Sequence, residues 1–322
     1  MAGVETRTTR LAPSPTGALH LGNARTFLIN WALARRNGWR VVLRIEDLDG
    51  PRVKAAASEQ AIDVLAWLGM DWDAGPVWQT GDLAVYGEAL ETLGRKGLLY
   101  ACRCSRKEIE QAQSAPHAED HELRYPGTCR PGDPGLRCAQ PSALAEDGTA
   151  WRVRVPDEEV VFRDEVRGEQ RVNVQRQVGD FVVATKQGLP AYQLAVVVDD
   201  ARQGVTDVVR GDDLLGSTAR QLWLYRMLDL TPPPHWWHLP LVLGPDGRRL
   251  AKRHGDTRLT TYREQGVPAE RVIGLLAWWS GASDERRMMT AREFADRFTM
   301  ARLPREAVTF TREDESWLRV RG

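Results

Sequence analysis

Two patterns of hydrophobic and polar positions alternate along the first hundred residues of the chain. An apolar-polar run ends at Ala12, and apolar residues recur at helical spacing directly after Gly22. The run VVLRI at 41–45 is typical of a buried strand, and helical spacing returns over 61–68 and 83–93. This alternation of strands and helices predicts an α/β fold with a parallel, Rossmann-like sheet.

The pattern changes after residue 100. Segments 151–155 and 160–162 alternate between apolar and polar residues, as strands do, whereas the apolar run at 190–200 predicts a strand buried on both faces. The last sixty residues are helix-forming. We therefore expect four parts: the first half of a Rossmann-like catalytic domain at 1–100, an insertion domain at 101–190, the second half of the catalytic domain at 191–256 and a helical region at 257–322.

Composition and charge narrow the class of protein. With 322 residues the chain is long enough for two or three packed units, and its 44 Lys and Arg balance 44 Asp and Glu. Any contact with nucleic acid is therefore expected from local basic patches rather than from an overall positive field. The N-terminal residues show no basic segment followed by an apolar core, and no eighteen apolar residues run together, so we expect neither secretion nor membrane insertion. We expect a cytoplasmic protein with no membrane partner.

The stretch RLAPSPTGALHLGN at 10–23 contains a strand end, a tight loop and a helix start. Pro13 and Pro15 cannot continue a helix or a strand ladder, and Gly22 lets another group approach the backbone. The free amides of a helix N-terminus attract anions, and His20 is expected at the edge of such a site. The alternative is an ordinary strand-to-helix turn with a surface histidine.

Charged groups follow two other predicted strands. Three carboxylates, in EDLD at 46–49, come directly after the strand at 41–45, and RGDD at 210–213 ends another short strand. Ligands of open α/β sheets bind at the carboxyl ends of the strands, so both groups are candidate ligand contacts. Taken alone, 46–49 also fits a solvated acidic loop, and Arg210 also fits a surface ion pair.

A cationic loop lies near residue 250. The sequence GPDGRRLAKRHG at 244–255 places two glycine-containing turns around a basic cluster, which predicts a mobile loop that closes over a triphosphate. A basic surface loop without a ligand is the alternative.

Three of the four cysteines lie within twenty-eight residues. Cys102 and Cys104 form a Cys-x-Cys pair, Cys129 follows, and Cys138 comes nine residues later. This grouping fits a reduced compartment and a closed, structural zinc site better than a disulfide framework. Unrelated buried cysteines are the alternative. Ligand softness favours Cys138 as the fourth ligand.

Two of these stretches together resemble one family. PSPTG at 13–17 with HLGN at 20–23 resembles the His-Ile-Gly-His signature of class I aminoacyl-tRNA synthetases, in the form of the glutamyl branch. RLAKR at 249–253 resembles the Lys-Met-Ser-Lys-Ser loop of the same family, in the expected order. The resemblance covers about residues 6–320. The chain departs from the two signatures at Asn23, Ala251 and Arg253.

The resemblance implies a fold and a set of site residues. The fold is the α/β, Rossmann-like parallel sheet of class I synthetases, with an inserted zinc-containing, acceptor-binding-type domain, a C-terminal helical stem-contact region and no anticodon-binding domain. His20 and Lys252 would be catalytic. The residues implied for glutamate are Arg10, Ala12, Ser14, Glu46, Tyr192 and Arg210. Those implied for ATP, which enters with Mg²⁺, are Pro13, His20, Gly22, Asn23, Arg249, Leu250, Ala251, Lys252 and Arg253. Two Arg and one Glu suit a substrate with two carboxylates and one ammonium group.

The cysteine region resembles one branch of this family. The branch pattern, Cys-x-Cys and then Tyr-x₃-Cys, matches Cys102, Cys104, Tyr125 and Cys129, so the resemblance implies Tyr125 as the fourth ligand of one structural zinc, with Cys138 as its rival. That branch activates glutamate as glutamyl adenylate and joins it to the modified base queuosine in the anticodon loop of tRNA(Asp). We therefore expect a monomeric ligase whose partners are ATP, L-glutamate and queuosine-containing tRNA(Asp). The alternatives are a short glutamyl-tRNA synthetase that charges the 3′ end of tRNA(Glu) and a catalytically inactive, synthetase-like tRNA-binding protein.

Overall fold

The computed structural model describes residues 6–48, 55–111, 123–132, 148–248, 250 and 257–319. These residues form two compact units. The first contains the chain up to Gln79, Val205–Leu214 and the chain from Pro234, and the second contains Thr80–Gly204 and Leu215–Pro233. Within the described ranges, no helix has both the length and the apolar character needed to cross a membrane.

Strands and helices alternate through most of the chain. The strands are β1 (Thr8–Leu11), β2 (Arg40–Ile45), β3 (Ala74–Trp78), β4 (Leu99–Cys102), β5 (Ala150–Val153), β6 (Glu159–Asp164), β7 (Gly168–Asn173), β8 (Val182–Ala184), β9 (Asp207–Gly211), β10 (His235–Leu239), β11 (Val242–Leu243) and β12 (Val308–Thr309). The helices are α1 (Leu21–Asn37), α2 (Ala55–Trp67), α3 (Ala84–Arg95), α4 (Arg106–Gln111), α5 (Val174–Gln177), α6 (Tyr192–Arg202), α7 (Leu215–Met227), α8 (Leu259–Glu264), α9 (Ala269–Trp279), α10 (Ala291–Arg297) and α11 (Arg312–Arg319).

The first unit contains a parallel sheet with the strand order β3-β2-β1-β9-β10. Each neighbouring pair in this order is parallel, with Leu11 opposite Leu43 and Thr9 opposite Asp207. β1 and β2 are buried almost throughout, as strands covered on both faces must be. The predicted α/β fold with a parallel, Rossmann-like sheet is confirmed.

Helix α1 follows β1 and packs against β1 and β9. It ends at Asn37, because Gly38 adopts the left-handed conformation (φ 68°) and its amide returns to the carbonyl of Ala34. Leu28 and Ile29 in the middle of the helix are buried. The helix therefore fixes the position of its own first turn relative to the sheet.

A buried arginine ties α1 to the C-terminal part of the same unit. Arg25 is 2% exposed and donates to the carbonyls of Pro240 (2.6 Å) and Trp279 (3.2 Å) and to Oγ of Ser280 (3.2 Å). Burial lowers the pKa of Arg25 to about 10, while the charge of Asp212 opposes this shift. The guanidinium therefore remains protonated at neutral pH.

The second unit contains an antiparallel sheet and a hairpin. The sheet has the order β4-β5-β8, and β6 and β7 pair in register from Glu159 with Asn173 to Asp164 with Gly168. Helix α6 packs against α3 and α7. The alternating segments near 151 and 160 are strands, as predicted.

The predicted strand at 190–200 is wrong, because this segment forms helix α6. The seven residues from Leu194 to Asp200 are all buried, so the helix has no exposed face in this stretch to give a period of 3.6. A continuous apolar run of this kind cannot be assigned to strand or helix by periodicity. The length of α6, eleven residues, is the better indicator and favours a helix.

Candidate functional site

In the parallel sheet of the first unit, successive strands are added in opposite directions on the two sides of the pair β1 and β9. From this pair, the order continues through β2 to β3 on one side and to β10 on the other. Ligands of open α/β sheets bind outside the carboxyl ends of the strands at such a point. Arg10 lies in β1, Arg210 lies in β9, and Glu46 directly follows β2. The structure therefore brings three of the predicted glutamate contacts to one edge of the sheet.

The two arginines at this edge are buried and held by hydrogen bonds. Arg10, 4% exposed, donates from Nη1 to the carbonyl of Val209 (3.3 Å). Arg210, 5% exposed, donates from Nε to Nε2 of His238 (3.0 Å) and from Nη2 to the carbonyl of Leu214 (3.4 Å). Because Nε2 of His238 accepts, this imidazole is neutral and adds no charge beside Arg210. Two fixed cations suit a ligand with two carboxylates.

Glu46 adds an acidic group to the same edge. Its amide donates to the carbonyl of Pro13 (3.0 Å), and its Oε1 accepts from Nη2 of the fully buried Arg44 (3.1 Å). The backbone bond ties the end of β2 to the loop after β1, which also carries Ala12 and Ser14. A carboxylate held in this way suits an ammonium group of the ligand.

His20 caps helix α1 with its own side chain. Its Nδ1 accepts from the amides of Gly22 (3.1 Å) and Asn23 (3.4 Å), and Oδ1 of Asn23 accepts from the amide of His20 (3.3 Å). Two of the amides expected to bind an anion are therefore already occupied. Because Nδ1 accepts, the neutral imidazole carries its proton on Nε2 and presents a donor at the positive end of the helix. The imidazole can thus extend the anion-binding character of the helix start to a phosphate.

The lysine-bearing loop is the predicted loop at 249–253, and two described residues, one within it and one after it, have contacts near the start of α1. Within the loop, Leu250 is buried, and its amide donates to the carbonyl of Val242 (3.0 Å). A Cβ built on Gly22 would lie 3.7 Å from Cβ of Val242. After the loop, the carbonyl of Thr257 accepts from the amide of Leu21 (3.3 Å). The remaining predicted ATP contacts of this loop lie outside the described residues: Arg249, Ala251, Lys252 and Arg253.

The last predicted glutamate contact, Tyr192, belongs to the second unit. It is the first residue of α6, and its side chain is 39% exposed. The next residue, Gln193, donates to Oγ of Ser217 on α7 (3.0 Å) and accepts from Nε2 of Gln221 (3.0 Å). These bonds fix the first turn of α6, and with it the position of Tyr192 within the unit.

The structure brings Cys102, Cys104 and Cys129 together in the second unit. Their three Sγ atoms all lie within 4.8 Å of one another, and those of Cys104 and Cys129 are 3.4 Å apart. Sulfurs bound to one zinc ion at about 2.3 Å lie about 3.8 Å apart, so these distances fit a shared ion. The hydroxyl of Tyr125 lies 3.6 Å from Sγ of Cys102 and accepts from the amide of Cys129 (2.8 Å). The rival ligand, Cys138, lies outside the described residues.

Three side chains of this cluster, Cys102, Cys104 and Tyr125, differ in their proton affinity. Burial raises the pKa of the Cys102 thiol, but hydrogen bonds from Arg152 and Tyr125 outweigh burial and leave that pKa below its usual value. Burial and the neighbouring thiols raise the pKa of Cys104 to about 11. Burial also raises the pKa of Tyr125. A metal ion would therefore have to displace protons from this cluster on binding.

Arg152 and Asp180 support the cysteine cluster, and neither was singled out from the sequence. Arg152 donates from Nε to Sγ of Cys102 (3.3 Å) and from Nη1 to the carbonyl of Asp180 (2.7 Å), and its guanidinium stacks on the ring of Tyr125 at 3.7 Å. Oδ2 of Asp180 accepts from Tyr100 (2.7 Å). Arg152 left no signal in the sequence, because it occupies a polar position of the alternating segment 151–155, yet this position is buried in the structure.

A family model matches most of the chain. The model for the catalytic domain of class I tRNA synthetases (E and Q) matches residues 6–317. The chain is 48% identical to the glutamyl-Q tRNA(Asp) synthetase of Rhodopirellula baltica, over 92% of this chain and 94% of that protein. It is 39% identical to glutamate–tRNA ligase 2 of Halorhodospira halophila, over 96% of this chain and 64% of that protein.

The fold is also similar to a solved structure. A glutamate tRNA ligase from Elizabethkingia meningosepticum, in complex with its amino acid, superimposes with a TM-score of 0.78 at 27% sequence identity. The match covers 98% of this chain and 69% of the ligase. The similarity therefore extends over both units.

Proposed function

Since this chain belongs to the class I tRNA synthetases for glutamate and glutamine, we propose that it activates glutamate with ATP and transfers it to queuosine in tRNA(Asp). The acceptor rests on the relatives, because identity is 48% to a glutamyl-Q tRNA(Asp) synthetase and 39% to a glutamate–tRNA ligase. The activation step rests on one structural observation. A histidine-capped helix start, bonded to Thr257 after the lysine-bearing loop, adjoins a sheet edge with two buried arginines and a glutamate.

Activation joins glutamate to AMP. An oxygen of the α-carboxylate attacks the α-phosphorus of ATP, and the bond to the bridging oxygen breaks as pyrophosphate leaves with the electron pair. His20 donates from Nε2 to a phosphate oxygen, and Lys252 neutralises charge on the leaving group. Lys252 is two residues from Leu250, which bonds to Val242 in β11, and five from Thr257, which bonds to Leu21 in the first turn of α1. Mg²⁺ bound with ATP supplies further positive charge to the phosphates.

Recognition of glutamate uses opposite charges at fixed positions. Arg10 and Arg210 bind the carboxylates, Glu46 binds the ammonium group, and Tyr192 and Ser14 add hydroxyl contacts. The burial of both arginines supports this assignment, because a buried guanidinium is little screened by water and gains more from a carboxylate partner. The two arginines also exclude substrates that lack the side-chain carboxylate.

Transfer completes the reaction. A hydroxyl of the queuosine ring attacks the carbonyl carbon of glutamyl adenylate, AMP leaves with the electron pair of the acyl–phosphate bond, and the hydroxyl proton passes to a phosphate oxygen of AMP or to water. A base that reacts in this way must be accessible outside its stack. Anticodon loops present such bases.

The cysteine cluster suits one structural zinc ion. Cys102, Cys104 and Cys129 would hold it with Tyr125 as the fourth ligand, since the sulfur distances fit and the Tyr125 hydroxyl already lies beside Cys102. A bound zinc ion holds together segments that are far apart in sequence. It has no part in the bond changes above.

The acceptor is tested with radiolabelled glutamate, ATP and three RNAs: tRNA(Asp) with queuosine, the same tRNA with unmodified guanosine, and tRNA(Glu). We expect label only on the first, and expect it to remain with the anticodon fragment after the 3′-terminal CCA is removed. Label on the 3′ end of tRNA(Glu) would instead identify a short glutamyl-tRNA synthetase. Absence of glutamate-dependent exchange of pyrophosphate into ATP would identify an inactive, synthetase-like protein.

A further inference from the structure

Two aromatic residues of β10 lie beside Arg210, and no step of the proposed reaction uses them. β9 and β10 are parallel neighbours, and Arg210 lies directly opposite His238. Residues two apart in a strand point to the same face of a sheet, so Trp236 shares the face of His238 and Arg210. His238 is fully buried, and Trp236 is 3% exposed.

Three contacts set the orientation of the Arg210 guanidinium. Its Nε donates to Nε2 of His238 (3.0 Å), and its Nη2 donates to the carbonyl of Leu214 (3.4 Å). Its Cζ lies 5.4 Å from the ring centre of Trp236, within the range of a cation–π interaction. Because the N–H groups of a guanidinium lie in one plane, two hydrogen bonds from different nitrogens fix the direction of that plane.

The three groups that make these contacts carry no charge. The imidazole of His238 accepts in its neutral form, the carbonyl of Leu214 is a peptide group, and Trp236 offers the face of its ring. A carboxylate in place of the imidazole would also fix the guanidinium, but it would neutralise the cation and compete with an incoming carboxylate. The three contacts therefore orient Arg210 without cancelling its positive charge.

We propose that His238 is a positioning residue for glutamate, which it acts on through Arg210. The inference rests on the proposed function, which assigns Arg210 to a carboxylate of glutamate. Bidentate binding of a carboxylate requires the guanidinium plane to face it, and a small displacement of a positioned group is costly. The hydrogen bond from Nε to His238 sets that plane, and the neutrality of the imidazole preserves the attraction for the substrate.

The test uses three substitutions of His238. His238→Gln keeps a neutral acceptor close to the position of Nε2, and His238→Glu has the same shape but adds a negative charge. His238→Phe keeps a ring without an acceptor. The control His235→Phe makes the same change in the same strand on the opposite face, and Arg210→Gln is the reference for loss of the guanidinium.

The readouts are kcat and the KM values for glutamate and ATP in pyrophosphate exchange, together with Tm. His238→Phe should raise the KM for glutamate about 10-fold or more, the scale of one hydrogen bond to a charged group, and leave the KM for ATP within about twofold. His238→Gln should keep the KM for glutamate within about threefold of the wild type. His238→Glu should raise it at least as much as His238→Phe, because its carboxylate competes with the substrate for Arg210. His235→Phe should leave both KM values within about twofold of the wild type.

The pair His238→Gln and His238→Glu decides the question even if His238→Phe does not fold. Equal KM values for glutamate in these two variants, or equal rises in the KM for glutamate and for ATP, would overturn the positioning role. A role of His238 in stability alone would lower Tm without separating the two substrates.

Failure of the proposed function has a different signature. An unchanged KM for glutamate in Arg210→Gln would overturn the assignment of Arg210 to glutamate, and with it the inference. A wild type without glutamate-dependent exchange would overturn the proposed activation. The Kd values of the same variants for glutamate, measured by calorimetry, then still decide whether His238 acts through Arg210.

Discussion

Two substitutions of His20 separate its role in the helix from its role in catalysis. His20→Ala removes both the Nδ1 acceptor that caps α1 and the Nε2 donor. His20→Asn keeps an acceptor, since Asn is among the preferred N-cap residues and its Oδ1 lies close to the position of Nδ1. The Asn side chain has no donor at the position of Nε2 of His20. The two variants therefore differ in stability but share the loss of Nε2.

The expected magnitudes follow from these contacts. Loss of an N-cap typically costs about 1 kcal/mol, so His20→Ala should lower Tm by about 2–4 °C and His20→Asn by much less. Loss of one positioned donor to the reacting phosphate should slow glutamate-dependent pyrophosphate exchange roughly 100-fold or more in both variants. His20→Ala and His20→Asn should thus have similar rates of pyrophosphate exchange but different values of Tm.

Thermal unfolding, amide hydrogen exchange and pyrophosphate exchange give the three measurements. The amides of Gly22 and Asn23 should exchange faster in His20→Ala than in His20→Asn, because only the second variant still caps them. Unchanged protection of both amides in His20→Ala would refute the capping role. A rate of pyrophosphate exchange in His20→Asn within a few-fold of the wild-type rate would refute the catalytic role.

Three further predictions concern other parts of the chain. Lys252→Ala should lower pyrophosphate exchange about 100-fold with little change in glutamate affinity, and turnover within a few-fold of the wild type would contradict the assignment of the loop. The purified, reduced protein should contain about one zinc per molecule by metal analysis. The double variant Cys102→Ser, Cys104→Ser should contain none, while its adenylate formation should be only partly reduced. A metal-free wild type would contradict this prediction. Gly274→Ala should lower the free energy of unfolding by about 1–3 kcal/mol, because its Cβ would lie 1.8 Å from a backbone oxygen. The control Gly87→Ala, with open space at a helical position, should be neutral or stabilising by about 0.5–1 kcal/mol in denaturant titrations, and equal effects of the two substitutions would contradict the close packing at Gly274.

The parallel sheet and the start of α1 were predictable because local rules determine them. Pro13 and Pro15 end the strand, Gly38 ends the helix, and the apolar run at 41–45 is a strand in the structure. These features depend on residues close together in sequence. The nature of α6 was not predictable from its periodicity, because contacts with two other helices, α3 and α7, help to bury it and leave no exposed face over Leu194–Asp200.

The candidate site was predictable in its residue types and not in its hydrogen bonds. Motif spacing pointed to His20 as a phosphate contact, but it gave no sign that Nδ1 occupies the helix amides. Likewise, the cysteine spacing predicted the cluster of Cys102, Cys104 and Cys129, but not the support from Arg152. A residue that acts through a buried contact has no fixed sequence distance from its partner, and so leaves no motif.

The contacts of Arg25 limit how far this enzyme can be shortened. Its three hydrogen bonds reach Pro240, Trp279 and Ser280, so the first helix is supported by residues well beyond the lysine-bearing loop. A fragment that stopped after that loop would leave a buried cation without two of its acceptors, at a cost of several kcal/mol. Design of a minimal glutamate-activating fragment should therefore retain α9.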